Sequence, residues 1–193
     1  MKKLTTRIIG GKYKGKALNL PSLDTTRSTK SILKESFFNV LQYDIIDTFF
    51  IEAFGGSGSI GLEAISRGAS RAFFCEIDKR SYKVLQKNCE IIDKKSCTTI
   101  LGDSFETIPT LINNTLKNIQ EQIIVYIDPP FDYRDGMDEI YNKSFEMVEK
   151  FDNNQVFLVA FEHKSGLYMP EKIGNYQKFK TKKFGNSSLT YYN

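Results

Sequence analysis

Asp128-Pro129-Pro130-Phe131 is the segment of this chain best equipped for chemistry. It follows Ile123-Ile124-Val125-Tyr126-Ile127, an apolar, β-branched run that reads as a strand buried on both faces. The carboxylate is thereby delivered to a strand's C-terminal end, the edge where open α/β sheets bind ligands. Each proline fixes its own φ, restricts the residue before it and lacks an N–H. What remains is a stiff ledge of acceptors, the Asp128 carboxylate and the carbonyls of Asp128 and Pro129, with the flat face of Phe131 beside it. A planar ring bearing an exocyclic NH2 suits such a ledge, because the amine donates two hydrogen bonds while the ring stacks. An Asx-type turn would use the same residue types, so the tetrapeptide needs company.

That company is a second set of residues. Phe54-Gly55-Gly56-Ser57-Gly58-Ser59-Ile60-Gly61 joins an apolar run to a helical pattern, and its glycines let backbone approach a ligand. Gly56-x-Gly58-x-x-Gly61 matches the dinucleotide fingerprint, and Glu76 lies 20 residues past Gly56, where an acid binds ribose hydroxyls. An NAD enzyme and an S-adenosylmethionine enzyme share these features. Glu52, just before the glycines, would meet a pyrophosphate badly but can order an amino group, and Gly102-Asp103 offers another acid, suited to an adenine amine. A cofactor met by carboxylates is expected to be cationic and free of phosphate, as S-adenosylmethionine is. The candidate cofactor residues are Glu52, Phe54, Gly56, Gly58, Glu76 with Ile77, and Asp103 with Ser104.

The elements that must position these residues alternate strand and helix from Thr48 onward, the mark of a mostly parallel sheet covered on both faces. Strands are expected at Thr48–Ala53, Ala72–Glu76, Thr98–Leu101, Ile123–Ile127 and Val156–Phe161, with helices at Ser59–Arg67, Lys79–Ile92, Pro109–Asn118 and Met137–Lys150. Tyr176–Phe184 and Ser188–Tyr192, separated by Gly185-Asn186, read as a closing β-hairpin, which makes seven strands. Ahead of the sheet, Leu33, Phe37, Val40 and Leu41 give one apolar helix face within Thr25–Leu41. Arg7–Leu20 reads as a twisted β-hairpin that must lean on the body or on a ligand, since two strands alone are marginal. The expected division is an arm over residues 1–24 and a body over 25–193.

Composition narrows the function classes. With 193 residues, 40% hydrophobic and 26% charged, the chain can bury one full core. It has no apolar run long enough to span a membrane and no secretory leader pattern, so a cytoplasmic protein without membrane contact is expected. Cys75, Cys89 and Cys97 lack CxxC spacing and read as buried thiols, and one histidine, His163, leaves no zinc cluster to assemble. His163 reads as a surface residue. Residues 1–34 carry nine Lys or Arg against one acid, Asp24, leaving the remainder at −4 within a net charge of +4. A basic arm on a mildly acidic body is the footprint of a nucleic-acid ligand. Arg7, Lys12, Lys14, Lys16 and Arg27 are the candidate phosphate contacts, with Lys178, Lys180, Lys182 and Lys183 as a weaker patch.

The whole pattern, from about Arg7 to Tyr192, resembles the RsmD family of bacterial 16S ribosomal RNA guanine-N2 methyltransferases. Arg7-Ile8-Ile9-Gly10-Gly11 with Lys14-Gly15-Lys16 is similar to that family's opening hairpin, and Glu35-Ser36-Phe37-Phe38-Asn39 to its first helix. Gly61-Leu62-Glu63-Ala64-Ile65-Ser66-Arg67-Gly68-Ala69 is similar to its glycine-loop helix, and Asp128-Pro129-Pro130-Phe131 to its catalytic tetrapeptide. The chain departs from the family in Ser28 for a proline, Glu52 for the commoner Asp and Gly55 for an alanine. The resemblance implies an α/β Rossmann-like S-adenosylmethionine-dependent methyltransferase fold. It also implies transfer of a methyl group to a guanine N2 of 16S rRNA on an assembled or assembling 30S subunit, by a monomer with ribosomal proteins as neighbours. Asp128, Pro129, Pro130 and Phe131 would hold the base. Adenine-N6 methyltransferases of DNA or RNA share the tetrapeptide, an NAD-dependent oxidoreductase shares the glycine loop, and a non-catalytic RNA-binding module would share the arm.

Overall fold

The computed structural model describes residues 4–21, 27–130, 137–152 and 154–193. Phe131 therefore lies outside the described residues, as does the side chain of Arg27. A two-stranded antiparallel hairpin, β1 (Thr5–Arg7) and β2 (Ala17–Asn19), leads into α1 (Arg27–Leu41). Next come β3 (Phe49–Glu52), α2 (Gly61–Arg67), β4 (Arg71–Glu76), α3 (Lys79–Ile92), β5 (Cys97–Leu101) and α4 (Ser104–Thr110). The chain continues through β6 (Ile123–Ile127), α5 (Met137–Glu149), β7 (Val156–Lys164), β8 (Lys172–Ile173), β9 (Tyr176–Phe184) and β10 (Ser187–Tyr192). Among the described residues no helix is long and apolar enough to cross a membrane.

The central sheet has the order β5-β4-β3-β6-β7-β10-β9-β8. β5, β4, β3, β6 and β7 are parallel neighbours, and β10, β9 and β8 finish the sheet antiparallel. β8 is a two-residue edge strand that brings the expected seven strands to eight. The order turns at β3 and β6, so a crevice opens at their C-terminal ends, the topological switch point of an α/β sheet.

Two hydrophobic layers cover the sheet. One packs α1, α2 and α3 over Phe50, Phe74, Ile124, Tyr126, Ala160 and Tyr191. The other packs α4 and α5 over Ile51, Phe73, Val125, Val159 and Phe161. α1 turns Leu33, Phe37, Phe38 and Leu41 inward, and the Phe37 ring meets Tyr126 edge-on at 4.9 Å. The hairpin is fastened to the first layer: Ile8 and Leu18 are buried in it, the Lys12 amide bonds the Ser66 carbonyl, and Asn19 bonds Asn88.

Two expectations change. The helix expected at Pro109–Asn118 starts earlier, at Ser104, because the Asp103 side chain caps it by accepting the Phe105 amide at 2.9 Å. Pro109 sits inside that helix, lacks the N–H its turn requires, and the chain passes into a π-helical turn at Leu111–Thr115. His163 is buried on β7, its ring bonding Thr190 at 2.8 Å and the Lys164 carbonyl at 2.9 Å, and burial holds its pKa below the usual value. Alternation along β7 places it on the covered face opposite Glu162, which is why a terminal-looking position is interior.

Candidate active site

The described candidate residues converge on one edge of the sheet. β3, β4, β5 and β6 run parallel and end in Glu52, Glu76, Leu101 ahead of Asp103, and Ile127 ahead of Asp128. One cavity of about 170 Å³ lies at the switch point, lined by Glu52, Phe54, Gly56, Lys34, Asp128 and Glu162 among others. Asp128 is half-buried and lines this cavity, and Pro129 after it is buried.

Glu52 is 5% exposed and accepts the Gly61 amide at 2.8 Å. Burial pushes its carboxyl up to about 8, the neighbouring Asp128 charge adds to the rise, and the Gly61 and Ile60 amides with Lys34 oppose it. The glycine turn is held from within: Gly55 N–H bonds the Cys75 carbonyl at 2.7 Å and Gly58 N–H bonds the Gly55 carbonyl at 2.6 Å. Gly58, at φ +75°, has no room for a Cβ because the Leu85 side chain occupies that space, whereas a Cβ on Gly56 would meet nothing within 4 Å. The turn therefore presents Gly56 to an open side and closes its other face against α3.

Glu76 receives the Gly56 amide at 2.7 Å on one oxygen and the Asp78 amide at 2.8 Å on the other. A carboxylate has about four lone-pair sites, so this oriented group keeps acceptor capacity for hydroxyl donors. Beside it Ile77 is 68% exposed, a bare apolar surface, and Asp103, just past β5, is exposed as well. The Phe54 ring packs edge-on against Phe105 at 5.6 Å. Ser104 is buried and its hydroxyl donates to the Ala53 carbonyl, which ties the β5–α4 turn to β3. Its side chain is thus used in positioning.

Three residues that sequence reasoning left unassigned belong to this region. Glu63, fully buried on α2, accepts the Ile9 and Gly10 amides and the Arg67 Nε at 2.8 Å each, with the Lys34 ammonium 3.3 Å away. Lys34, 3% exposed on α1, also donates to the Arg7 carbonyl at 2.8 Å, and burial lowers its pKa. Glu162 is buried near the C-terminal end of β7 and accepts the Tyr126 hydroxyl at 2.7 Å. Its signal was readable, since it is an acid closing an apolar strand like Glu52 and Glu76.

The basic candidates occupy the hairpin. Arg7, Lys12, Lys14 and Lys16 are exposed, with Arg7 donating to the Gly15 carbonyl at 2.9 Å and Lys12 over the Tyr13 ring at 4.9 Å. The second lysine patch is split: Lys178 is engaged with Glu171 and the Met169 carbonyl, and Lys182 reaches Ser36, leaving Lys180 and Lys183 exposed. Cys75 and Cys89 are buried thiols, while Cys97 is half-buried.

Comparisons with known proteins agree with this architecture. A family profile described as Conserved hypothetical protein 95 matches residues 6–193. Ribosomal RNA small subunit methyltransferase D of Escherichia coli is 33% identical over 125 residues, which span 65% of this chain and 60% of that protein's length. The protein of the same name from Haemophilus influenzae is 34% identical over 143 residues, covering 69% of this chain and 71% of its own. The solved structure of a proposed methyltransferase from Escherichia coli superposes with a TM-score of 0.72 at 27% identity, over 97% of each chain.

Proposed function

The chain belongs to the Conserved hypothetical protein 95 family, and from that membership and the site geometry we propose that it methylates the exocyclic N2 of a guanine in 16S ribosomal RNA, using S-adenosylmethionine. The observation that carries this reading is Asp128 in the wall of the same cavity as Glu52 and the glycine turn. The relatives named as ribosomal RNA small subunit methyltransferases support the RNA substrate. The exposed hairpin lysines supply the electrostatic half of RNA binding.

The site chemistry fits the cofactor. The Gly61 amide, which a dinucleotide enzyme would offer to a pyrophosphate, is occupied by Glu52, and acids outnumber Lys34 around the cavity. A cationic ligand without phosphate is favoured there. Glu52 and the open side of Gly56 would hold its amino-acid end, Glu76 its ribose hydroxyls, and Ile77 with Asp103 its adenine. When bound, S-adenosylmethionine supplies an electrophilic methyl group on a sulfonium.

The chain's own residues do the rest. Asp128 and the Pro129 carbonyl accept the two N–H groups of the target amine, turning its lone pair out of conjugation. The nitrogen forms the new N–C bond as the S–C bond breaks, and the surplus proton leaves by way of the Asp128 carboxylate. Phe131 stacks on the extruded base, a contact worth about 1–3 kcal/mol. Holding both reactants in attack geometry accounts for much of the acceleration, on the order of 7–11 kcal/mol at best. Arg7, Lys12, Lys14, Lys16 and Arg27 bind phosphates. The enzyme acts as a monomer in the cytoplasm, on a 30S particle with ribosomal proteins beside it, and the hairpin of residues 1–24 serves as the RNA-binding arm of the 25–193 catalytic body.

Labelled S-adenosylmethionine, supplied with naked ribosomal RNA, 30S particles or duplex DNA, tests the proposal when the product nucleoside is identified by mass. N2-methylguanosine from RNA or 30S particles is expected. Label found only as methyladenine, or only in DNA, overturns the substrate and favours the adenine-N6 reading.

A further inference from the structure

We infer that Glu162 reads the N1 position of the target base and makes the site selective for guanine over adenine, an inference that rests on the base-methylation reading above. The proposed transfer makes no use of this carboxylate, yet it is 3% exposed and lines the cavity together with Asp128 and Glu52. β6 and β7 are parallel, with Tyr126 opposite Ala160 and Ile127 opposite Phe161. The next residues, Asp128 and Glu162, thus fall side by side, on the sheet face that carries Tyr126 and Ala160.

Burying a carboxylate is costly unless it is well bonded. The fully buried Tyr126 hydroxyl donates to Glu162 at 2.7 Å, which fixes the carboxylate's orientation. Burial, with the charges of Glu162 and Asp128, holds that hydroxyl protonated, so it remains a donor. The Asp128 and Glu162 carboxylates therefore stand as neighbouring acceptors in the cavity wall, and the Pro129 carbonyl of the proposed ledge extends the run.

Guanine matches that run because its N1–H and both N2 hydrogens are three adjacent donors. Adenine does not, because its two amine hydrogens are flanked by the N1 and N7 lone pairs. An adenine seated with its amine on the Asp128 ledge would point the N1 lone pair at a carboxylate. That repulsion against the wrong base corresponds to roughly ten- to a hundredfold discrimination.

2-Aminopurine probes this contact, since it keeps the C2 amine and carries a lone pair in place of N1–H; it also lacks O6, so the change of the preference in a Glu162 variant is what isolates the N1 contact. Ribosomal RNA bearing 2-aminopurine at the target guanine is compared with unmodified RNA by single-turnover methylation, and its binding is followed by 2-aminopurine fluorescence. The wild-type protein is expected to favour guanine by roughly ten- to a hundredfold. In Glu162→Gln, whose amide can donate to N1, that preference should collapse or invert. A merely structural role for Glu162 would lower both rates together and leave the ratio intact. Equal use of the two bases by the wild-type protein, or an unchanged ratio in a folded Glu162→Gln, overturns the inference. If that variant does not fold, Glu162→Asp, which draws the carboxylate back from N1, takes its place, and an unchanged ratio in it likewise overturns the inference. Failure of the wild-type protein to methylate guanine at all would instead overturn the proposed function.

Discussion

Cofactor affinity should rise steeply with pH because of Glu52. Its carboxyl is pushed up to about 8 from an ordinary 4.5, with burial the largest cause. A ligand that places an ammonium against it needs the ionised form. Below the folded value each pH unit costs about tenfold, or roughly 1.4 kcal/mol, so affinity for S-adenosylhomocysteine should increase about a hundredfold between about pH 5.5 and 7.5. About one proton should be released per ligand bound across that window. Titration calorimetry in two buffers of different ionisation enthalpy measures both quantities. The unliganded protein responds in the opposite sense. A raised carboxyl pKa gives stability that is fully present below 4.5 and lost as pH climbs through about 8, so the unliganded melting temperature should decline over that range as ligand binding strengthens. Glu52→Gln keeps an acceptor for the Gly61 amide and removes the charge. Its affinity should be independent of pH and, by loss of a charge-assisted bond, roughly ten- to a hundredfold below the wild-type plateau. Wild-type affinity that does not change with pH, or a glutamine variant that binds as tightly as wild type at the alkaline end, refutes the assignment of Glu52 to the cofactor's ammonium.

Two further outcomes follow from contacts elsewhere. Glu63→Ala strips the acceptor from the Ile9 and Gly10 amides and from Arg67 and Lys34, and should cost about 3–5 kcal/mol, read from denaturant midpoints at unchanged slope. Limited proteolysis of that variant should cut first in the hairpin it anchors. Replacing Lys12, Lys14 and Lys16 together with Glu should weaken RNA binding and flatten the slope of log affinity against log salt by about 2–3, with S-adenosylhomocysteine binding unchanged. An unaltered slope would remove the hairpin from the RNA interface.

The parts of this molecule that were legible in the sequence are those governed by local periodicity. Ile123–Ile127 and Lys79–Ile92 occur as read, because an apolar run closed by prolines and an amphipathic stretch capped by Asp78 leave no competing pattern. Glu52, Glu76, Asp103 and Asp128 could be placed at one edge because parallel strands bring their C-terminal ends together. Contacts that depend on tertiary meeting were not legible. Glu63 lies more than fifty residues from the amides it receives, so its sequence neighbourhood shows only a short helix. Lys34 looked like part of the basic arm, but it sits on the inner side of α1 and spends its charge inside the protein. Pro109 invited reading as a helix start, whereas Asp103 with Glu106 three residues on was the stronger N-terminal signal. β8 has two residues, too short for any period to register.

Single-turnover methyl transfer by Asp128→Ala, measured beside its affinity for S-adenosylhomocysteine, tests the acceptor ledge most directly. Removing a preorganised charge where the amine becomes cationic should slow transfer on the order of 10²–10³-fold while cofactor affinity holds. Transfer to guanine at the wild-type rate would contradict the role given to Asp128.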